Sequence, residues 1–129
     1  YEVMRQGSKV AVLALGDFYD LGEKTVEALS STLGIEATLV KPYFASGVDQ
    51  NLLDNLVKDH DVIVTIEDGI IEGGWGQNIA SYLGTSSARV LNYGVKKAFY
   101  DRVNIADLMR ESHLEPELIA ADVKQVLGL

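Results

Sequence analysis

Two stretches of this chain, KVAVLAL at 9–15 and DVIVTIE at 61–67, are apolar almost without interruption. A strand with one face in water alternates apolar and polar residues, whereas a strand that does not alternate needs cover on both faces. Each stretch leads through glycine into residues of helical spacing, so the cover is helical. After the first, Asp17 and Asp20 offer capping groups, and Leu21, Thr25, Ala28, Leu29 and Leu33 recur on one face until Gly34 stops the helix. The unit then repeats. A strand at Ile35–Val40 passes through a turn at Pro42 and Gly47 into a short helix carrying Leu52, Leu53, Leu56 and Val57 behind Asp49. The strand Asp61–Glu67 is followed by a glycine-rich loop, a helix near Gln77–Leu83 ended by Gly84, and a strand at Ala88–Gly94. The tail, Asn104–Leu129, reads as two helices with Pro116 in the first turn of the second. Tyr1–Met4 is short and precedes Gly7; it is expected to be an edge strand that returns antiparallel through a tight turn or crosses to the far edge. The expected fold is a three-layer α/β/α sandwich around a mostly parallel five-stranded sheet with an N-terminal antiparallel edge strand.

The length of 129 residues fits one domain, 1–129, and 47% hydrophobic with 23% charged residues is the make-up of an ordinary globular protein. Nineteen acids against eleven bases give a net charge of −8, a field that repels phosphate backbones and anionic lipid heads. Neither a nucleic acid nor a membrane is expected as a partner. The absence of cysteine excludes disulfides, thiolate metal sites and cysteine nucleophiles. That absence also fits the expected cytoplasmic setting; no apolar run approaches the roughly 20 residues of a spanning helix, and the start lacks the layout of a signal peptide, so the chain is expected to be soluble. A start at Tyr1, already strand-like by Val3, reads as a piece excised from a longer chain.

The segment richest in chemistry is VTIEDGIIEGGWGQNIASYLG, 64–84. It sets Glu67 and Asp68 at a strand end, then Gly73, Gly74 and Gly76 around Trp75, then a helix. In an open parallel sheet, ligands lie beyond the carboxyl ends of the strands, and free amides at a helix start attract anions. Against a phosphate site stand the wrong glycine spacing, the lack of a following lysine, and repulsion from Glu67, Asp68 and Glu72. The favoured reading is structural: the glycines allow a sharp turn and close approach of another segment, Trp75 packs as an anchor, and a carboxylate caps the loop. As sequence neighbours on a strand, Glu67 and Asp68 point to opposite sides and need not serve one ligand. His60 and His113, the two histidines, sit in polar helix-end contexts that suit partly exposed rings, with no metal-ligand partner in view. Ser30, Ser31, Ser86 and Ser87 lack a nucleophile elbow. Lys96, Lys97 and Arg102 form the one basic cluster, read as a solvated loop after the last strand.

On these residues the chain resembles the last domain of the 1-deoxy-D-xylulose-5-phosphate synthases, within the transketolase family. YEVMRQGSKVAVLALG is similar to the family's entry into that domain, and VTIEDGIIEGGWGQNIASYL to its run of valine-threonine strand, paired acids, double glycine, aromatic, glycine and helix. GIEATLV with Val48, Asp49 and Leu52-Leu53, and the ending from Leu114 to Ile119, are similar too. The chain departs from the family at Tyr43–Gly47 and again at Lys96, Lys97, Arg102 and Val103, so no role is carried over for those loops.

The resemblance implies a cytoplasmic homodimeric enzyme that uses thiamine diphosphate and Mg2+ to join two carbons of pyruvate to glyceraldehyde 3-phosphate with loss of CO2, feeding isoprenoid, thiamine and pyridoxal precursors. It implies that the cofactor belongs to other domains and that this one packs against the preceding domains and a second subunit. No catalytic, cofactor-binding or metal-binding residue is carried over, and the fragment alone is expected to be inactive. A domain or subunit interface is expected at Glu67, Asp68, Gly73, Gly74, Trp75 and Gly76. Two rival readings are the matching domain of a 2-oxoacid dehydrogenase beta subunit and a free-standing flavodoxin-like binding module.

Overall fold

The computed structural model describes residues 1–95 and 109–129. In chain order the elements are β1 Glu2–Arg5, β2 Lys9–Ala14, α1 Tyr19–Leu33, β3 Thr38–Lys41, α2 Gln50–Leu56, β4 His60–Ile70, α3 Trp75–Tyr82, β5 Arg89–Val95 and α4 Pro116–Leu127. They form a five-stranded sheet of order β1-β3-β2-β4-β5. β1 runs antiparallel to β3, and the other neighbours are parallel, with Val12 beside Leu39 and Val64, and Val64 beside Leu91.

The unalternating strands are buried on both faces for the expected reason. Along β2, Val10, Val12 and Ala14 join one core cluster with Val26 and Leu29 of α1 and Ile119 and Val123 of α4. The intervening Ala11 and Leu13 join a second cluster with Leu53 and Leu56 of α2 and Trp75 and Ile79 of α3. Five consecutive residues, Val10 to Ala14, are completely buried in this way. Among the described residues α1 and α4 therefore lie on one face and α2 and α3 on the other, and the expected three-layer sandwich is the observed one. Gly34 ends α1 in the left-handed region at φ 67, and Asp49 caps α2 by accepting from the Leu52 amide at 3.1 Å. Pro116 opens α4 as expected. Of the helix expected earlier in the tail, 109–111 is helical and the preceding part lies outside the described residues.

β1 does not fold back on β2. It pairs with β3, with Val3 opposite Val40. The chain reaches that edge by passing tightly over the start of β3: the Ser8 amide donates to Glu36 O at 3.0 Å and the Gly7 amide to Thr38 Oγ1 at 2.9 Å. A Cβ at Gly7 would lie 2.0 Å from Glu36 O, so only glycine passes there.

His60 corrects the expectation of a partly exposed ring. It is the first residue of β4 and only 2% exposed. Its Nδ1 faces Leu56 O at 2.8 Å and Asp59 Oδ1 at 2.7 Å, both acceptors, so Nδ1 carries a hydrogen. Its Nε2 lies 2.7 Å from Thr38 Oγ1, whose hydroxyl accepts from Gly7 and so has its own hydrogen to give. One ring thus ties the β1–β2 passage, β3, the end of α2 and β4 together, which is why it is buried.

Candidate functional site

Chain direction across the sheet reverses between β2 and β4: β2 leads through α1 to β3 on one side, and β4 leads through α3 to β5 on the other. In such sheets the crevice beyond the carboxyl ends of those two strands is where ligands sit. Here it is closed by the protein's own carboxylates.

Glu67 sits on β4, 5% exposed, and its side chain reaches the start of α3. Oε1 accepts from the Trp75 amide at 3.1 Å and Oε2 from the Gly76 amide at 2.8 Å. The N-cap residue, Gly74, has no side chain to do this work, so the helix is capped from eight and nine residues upstream. These are the donors that would otherwise attract an anion. Burial raises the Glu67 carboxyl above its ordinary value, the Gly76 and Trp75 amides pull the other way, and the Asp68 charge adds to the rise. Gly76 is required by this arrangement. A Cβ there would lie 2.5 Å from Thr65 Oγ1, 2.8 Å from Glu67 Oε2 and 2.9 Å from Asn92 Oδ1.

Asp68 is exposed and turns to the other strand end, where Oδ2 accepts from the Asp17 amide at 3.3 Å. Gly16, at φ 71, lies so close that a Cβ would come 2.8 Å from the same oxygen. The two acids therefore cap two different segments, one on each side of the reversal. Gly73 turns the chain at φ 74, and its amide donates to Gln77 Oε1 at 2.8 Å. Trp75 points into its own domain and is 3% exposed. Its Nε1 donates to Tyr1 Oη at 2.8 Å, Tyr1 Oη donates to Gly47 O at 3.0 Å, and the Tyr1 ring meets Phe44 at 4.8 Å between centroids.

The residues singled out in sequence are therefore divided. Glu67, Trp75 and Gly76 are interior and mutually bonded, whereas Asp68 and Gly73 are exposed and Gly74 half-buried. Sequence reasoning missed Thr65 and Asn92 as partners. It read Asp17 and Asp20 as capping groups, whereas the structure has no side-chain cap at the start of α1 and has the Asp17 amide held by Asp68 instead. Gly16, directly after a strand that is buried on both faces, was the available signal. The basic cluster Lys96, Lys97 and Arg102 lies outside the described residues.

The arrangement does not fit a diphosphate with its magnesium ion. The helix-start amides are occupied by a carboxylate, and a phosphate entering beside Glu67 and Asp68 would meet like charge. Among the described residues no three His, Cys, Asp or Glu side chains gather as a metal site. Elsewhere, a cleft of about 280 Å³ opens beside β5, lined by Ile71, Tyr93, His113 and Asp122 among others. There Tyr93 Oη donates to Asp122 Oδ2 at 2.7 Å, and His113 Nδ1 meets the same oxygen at 2.9 Å. Burial, then the hydrogen bond to Asp122 and its charge, push the Tyr93 phenol well above its ordinary value.

Comparison with known proteins agrees with this fold and with the sequence resemblance. The chain is 40% identical over 129 residues to the 1-deoxy-D-xylulose-5-phosphate synthase of Pseudoalteromonas translucida, an alignment covering 98% of this chain and 20% of that protein. The corresponding synthase of Pseudomonas fluorescens is 32% identical, again over 98% of this chain and 20% of its own length. The chain thus spans about a fifth of the curated relatives it matches. Among solved structures, one described as a split gene transketolase, inactive beta4 tetramer, superposes with a TM-score of 0.85 at 25% identity, covering 99% of this chain and 42% of that one. A 2-oxoglutarate:ferredoxin oxidoreductase from Magnetococcus marinus shares the fold, with a TM-score of 0.58 at 14% identity over 96% of this chain and 19% of its own. Residues 1–119 match the family described as the transketolase C-terminal domain, and with the sheet order and strand directions observed here, the chain belongs to that family.

Proposed function

We propose that this chain is the single carboxy-terminal scaffold and dimerisation domain of a longer, cytoplasmic, thiamine-diphosphate-dependent 1-deoxy-D-xylulose-5-phosphate synthase. The parent enzyme would convert pyruvate and glyceraldehyde 3-phosphate to 1-deoxy-D-xylulose 5-phosphate and CO2, with thiamine diphosphate and Mg2+ held by its other domains. The observation that carries the scaffold role is Glu67, whose two oxygens fill the helix-start amides at the point where this fold would hold a ligand. The identity of 40% and 32% with two synthases, in alignments covering 98% of the chain, supports the choice of parent, and the share of about a fifth of their length supports a role as one part of a larger protein. The fold neighbour described as an inactive assembly of a split gene transketolase supports a part that does no chemistry alone. Among the described residues no helix is long and apolar enough to cross a membrane.

Synthase assay of the full-length polypeptide beside the 129-residue chain tests this reading. Deoxyxylulose phosphate should form only with the former, given thiamine diphosphate and Mg2+. Product from the short chain alone, or none from the long one, contradicts it. The alternative of a 2-oxoacid dehydrogenase beta subunit gains nothing from the ferredoxin oxidoreductase, whose likeness extends to the fold alone.

A further inference from the structure

The large hydrophobic side chains left exposed are concentrated at one edge of the sheet. Among the described residues, apart from Leu129 at the chain end, they are Val3, Met4, Tyr43 and Phe44, from 39% to 62% exposed. β1 is the edge strand, and all four of its residues are exposed, so neither helical layer covers it on either face. Tyr43 and Phe44 follow β3, the strand on which β1 lies. An edge strand that exposes two large apolar side chains, Val3 and Met4, beside free backbone groups is a pairing hazard unless something covers it.

The patch is also held in shape. Tyr43 Oη donates to Glu2 Oε1 at 3.1 Å, Lys41 Nζ stands 5.0 Å from the Tyr19 ring centroid and 5.8 Å from that of Tyr43, and Phe44 packs on Tyr1. Side chains already fixed lose less entropy on contact. Glu2, Arg5 and Lys41 mix both signs around it, so within a chain of net charge −8 this edge has no single-sign field to favour a strongly charged partner.

From these observations, and resting on the reading of the chain as one part of a long synthase, we propose that the β1 edge with Tyr43 and Phe44 docks the remainder of the same polypeptide through an apolar, strand-edge contact. Its size favours a tethered partner over a second copy. Four partly exposed side chains supply only a few hundred Å², whereas a stable contact between separate chains takes about 800 Å² from each. A covalently linked partner meets this surface at a millimolar-scale effective concentration and needs less. The relatives carry about four times as much chain outside the matched region as inside it, so such a partner is at hand.

Hydrogen exchange of the full-length polypeptide, read by peptides covering 1–5 and 42–47, tests the proposal, with synthase activity assayed on the same preparation. The expected result is protection of both peptides at all protein concentrations, falling at least tenfold in the Met4→Ser, Phe44→Ser double variant while β4 peptides stay protected. If β4 also loosens in that variant, Val3→Thr replaces it and should show the same selective loss at smaller size. Because pairing with β3 alone already slows β1, exchange of both peptides at the same rate in the double variant as in the wild type overturns the proposal, as does protection that fades on dilution, which would mean a second copy. Protection without synthase activity would overturn the choice of parent enzyme and leave the docking surface standing; activity without protection would do the reverse.

Discussion

The carboxylate of Glu67 and the amide of Gly76 are 2.8 Å apart, nine residues apart in sequence, at the one place in this fold where a ligand's anion would sit. The helix-start amides are thus satisfied within the chain, and Gly76 leaves the room that lets this contact close.

Removing that carboxylate should be costly. Glu67→Ala strands two buried N–H groups, and a loss of about 3 kcal/mol in urea unfolding is expected. Glu67→Gln keeps one acceptor and should lose about half as much. Because burial holds the folded carboxyl above its ordinary 4.5, Glu67 contributes most below that value and progressively less as pH rises through the folded one. The advantage of wild type over Glu67→Gln should therefore shrink over the range from that ordinary value upward. An advantage that grows over that range would mean the carboxyl is not raised.

The glycines of the turn are not equivalent to those elsewhere. Gly76→Ala drives a Cβ to 2.5 Å from Thr65 Oγ1 and should cost about 2 kcal/mol or more. Gly73→Ala meets no atom within 4 Å but retains φ 74, so about 1 kcal/mol is expected. Gly47→Ala has open space and no such φ, and should be neutral or stabilise by up to about 1 kcal/mol. Thermal midpoints of the three variants in one buffer give the order.

His113 occupies the left-handed region at φ 57 after the helical residues 109–111, where glycine is the usual occupant. Its amide donates to Arg110 O, and the next one to Met109 O, as at a helix end of this type. Its ring meets Asp122. His113→Ala keeps the strain and loses the ring contact, while His113→Gly removes both, so the glycine variant should be the more stable by about 1 kcal/mol. Equal stabilities would show that the backbone there is unstrained.

Tyr93 is raised by burial and by its bond to Asp122, so the stability it contributes is complete below the ordinary phenol value of 10.0 and is lost as pH climbs toward the folded one. Tyr93→Phe should cost about 1 kcal/mol at neutral pH and should flatten the decline of stability above about pH 10. Absorbance titration of tyrosinate against unfolding by circular dichroism checks this: Tyr93 should ionise only with unfolding.

The sandwich was legible because its evidence is local and repeated. Val10 to Ala14 offer no polar face, Gly34 marks a helix end wherever it occurs in this pattern, and Asp49 stands where a cap belongs. What was not legible depends on partners distant in sequence. α3 begins at Trp75 rather than Gln77 because its cap comes from Glu67, and β4 runs past both acids to Ile70 because β5 continues beside it to Val95. His60 reads as polar and helix-terminal until Thr38 and Leu56 are brought to its two nitrogens. At the candidate site the opposite orientation of Glu67 and Asp68 followed from strand geometry alone. That Trp75 faces inward onto Tyr1 did not, since the two are 74 residues apart.

An acidic, glycine-rich turn that is satisfied from within should grip no reactant. Amide NMR of the 129-residue chain during titration with thiamine diphosphate and Mg2+ tests it most directly. The Trp75 and Gly76 amide signals should stay in place up to millimolar ligand, shifting only when Glu67 is replaced. Saturable movement of those two signals in the micromolar range, in the wild-type chain, would show that the turn does hold the cofactor.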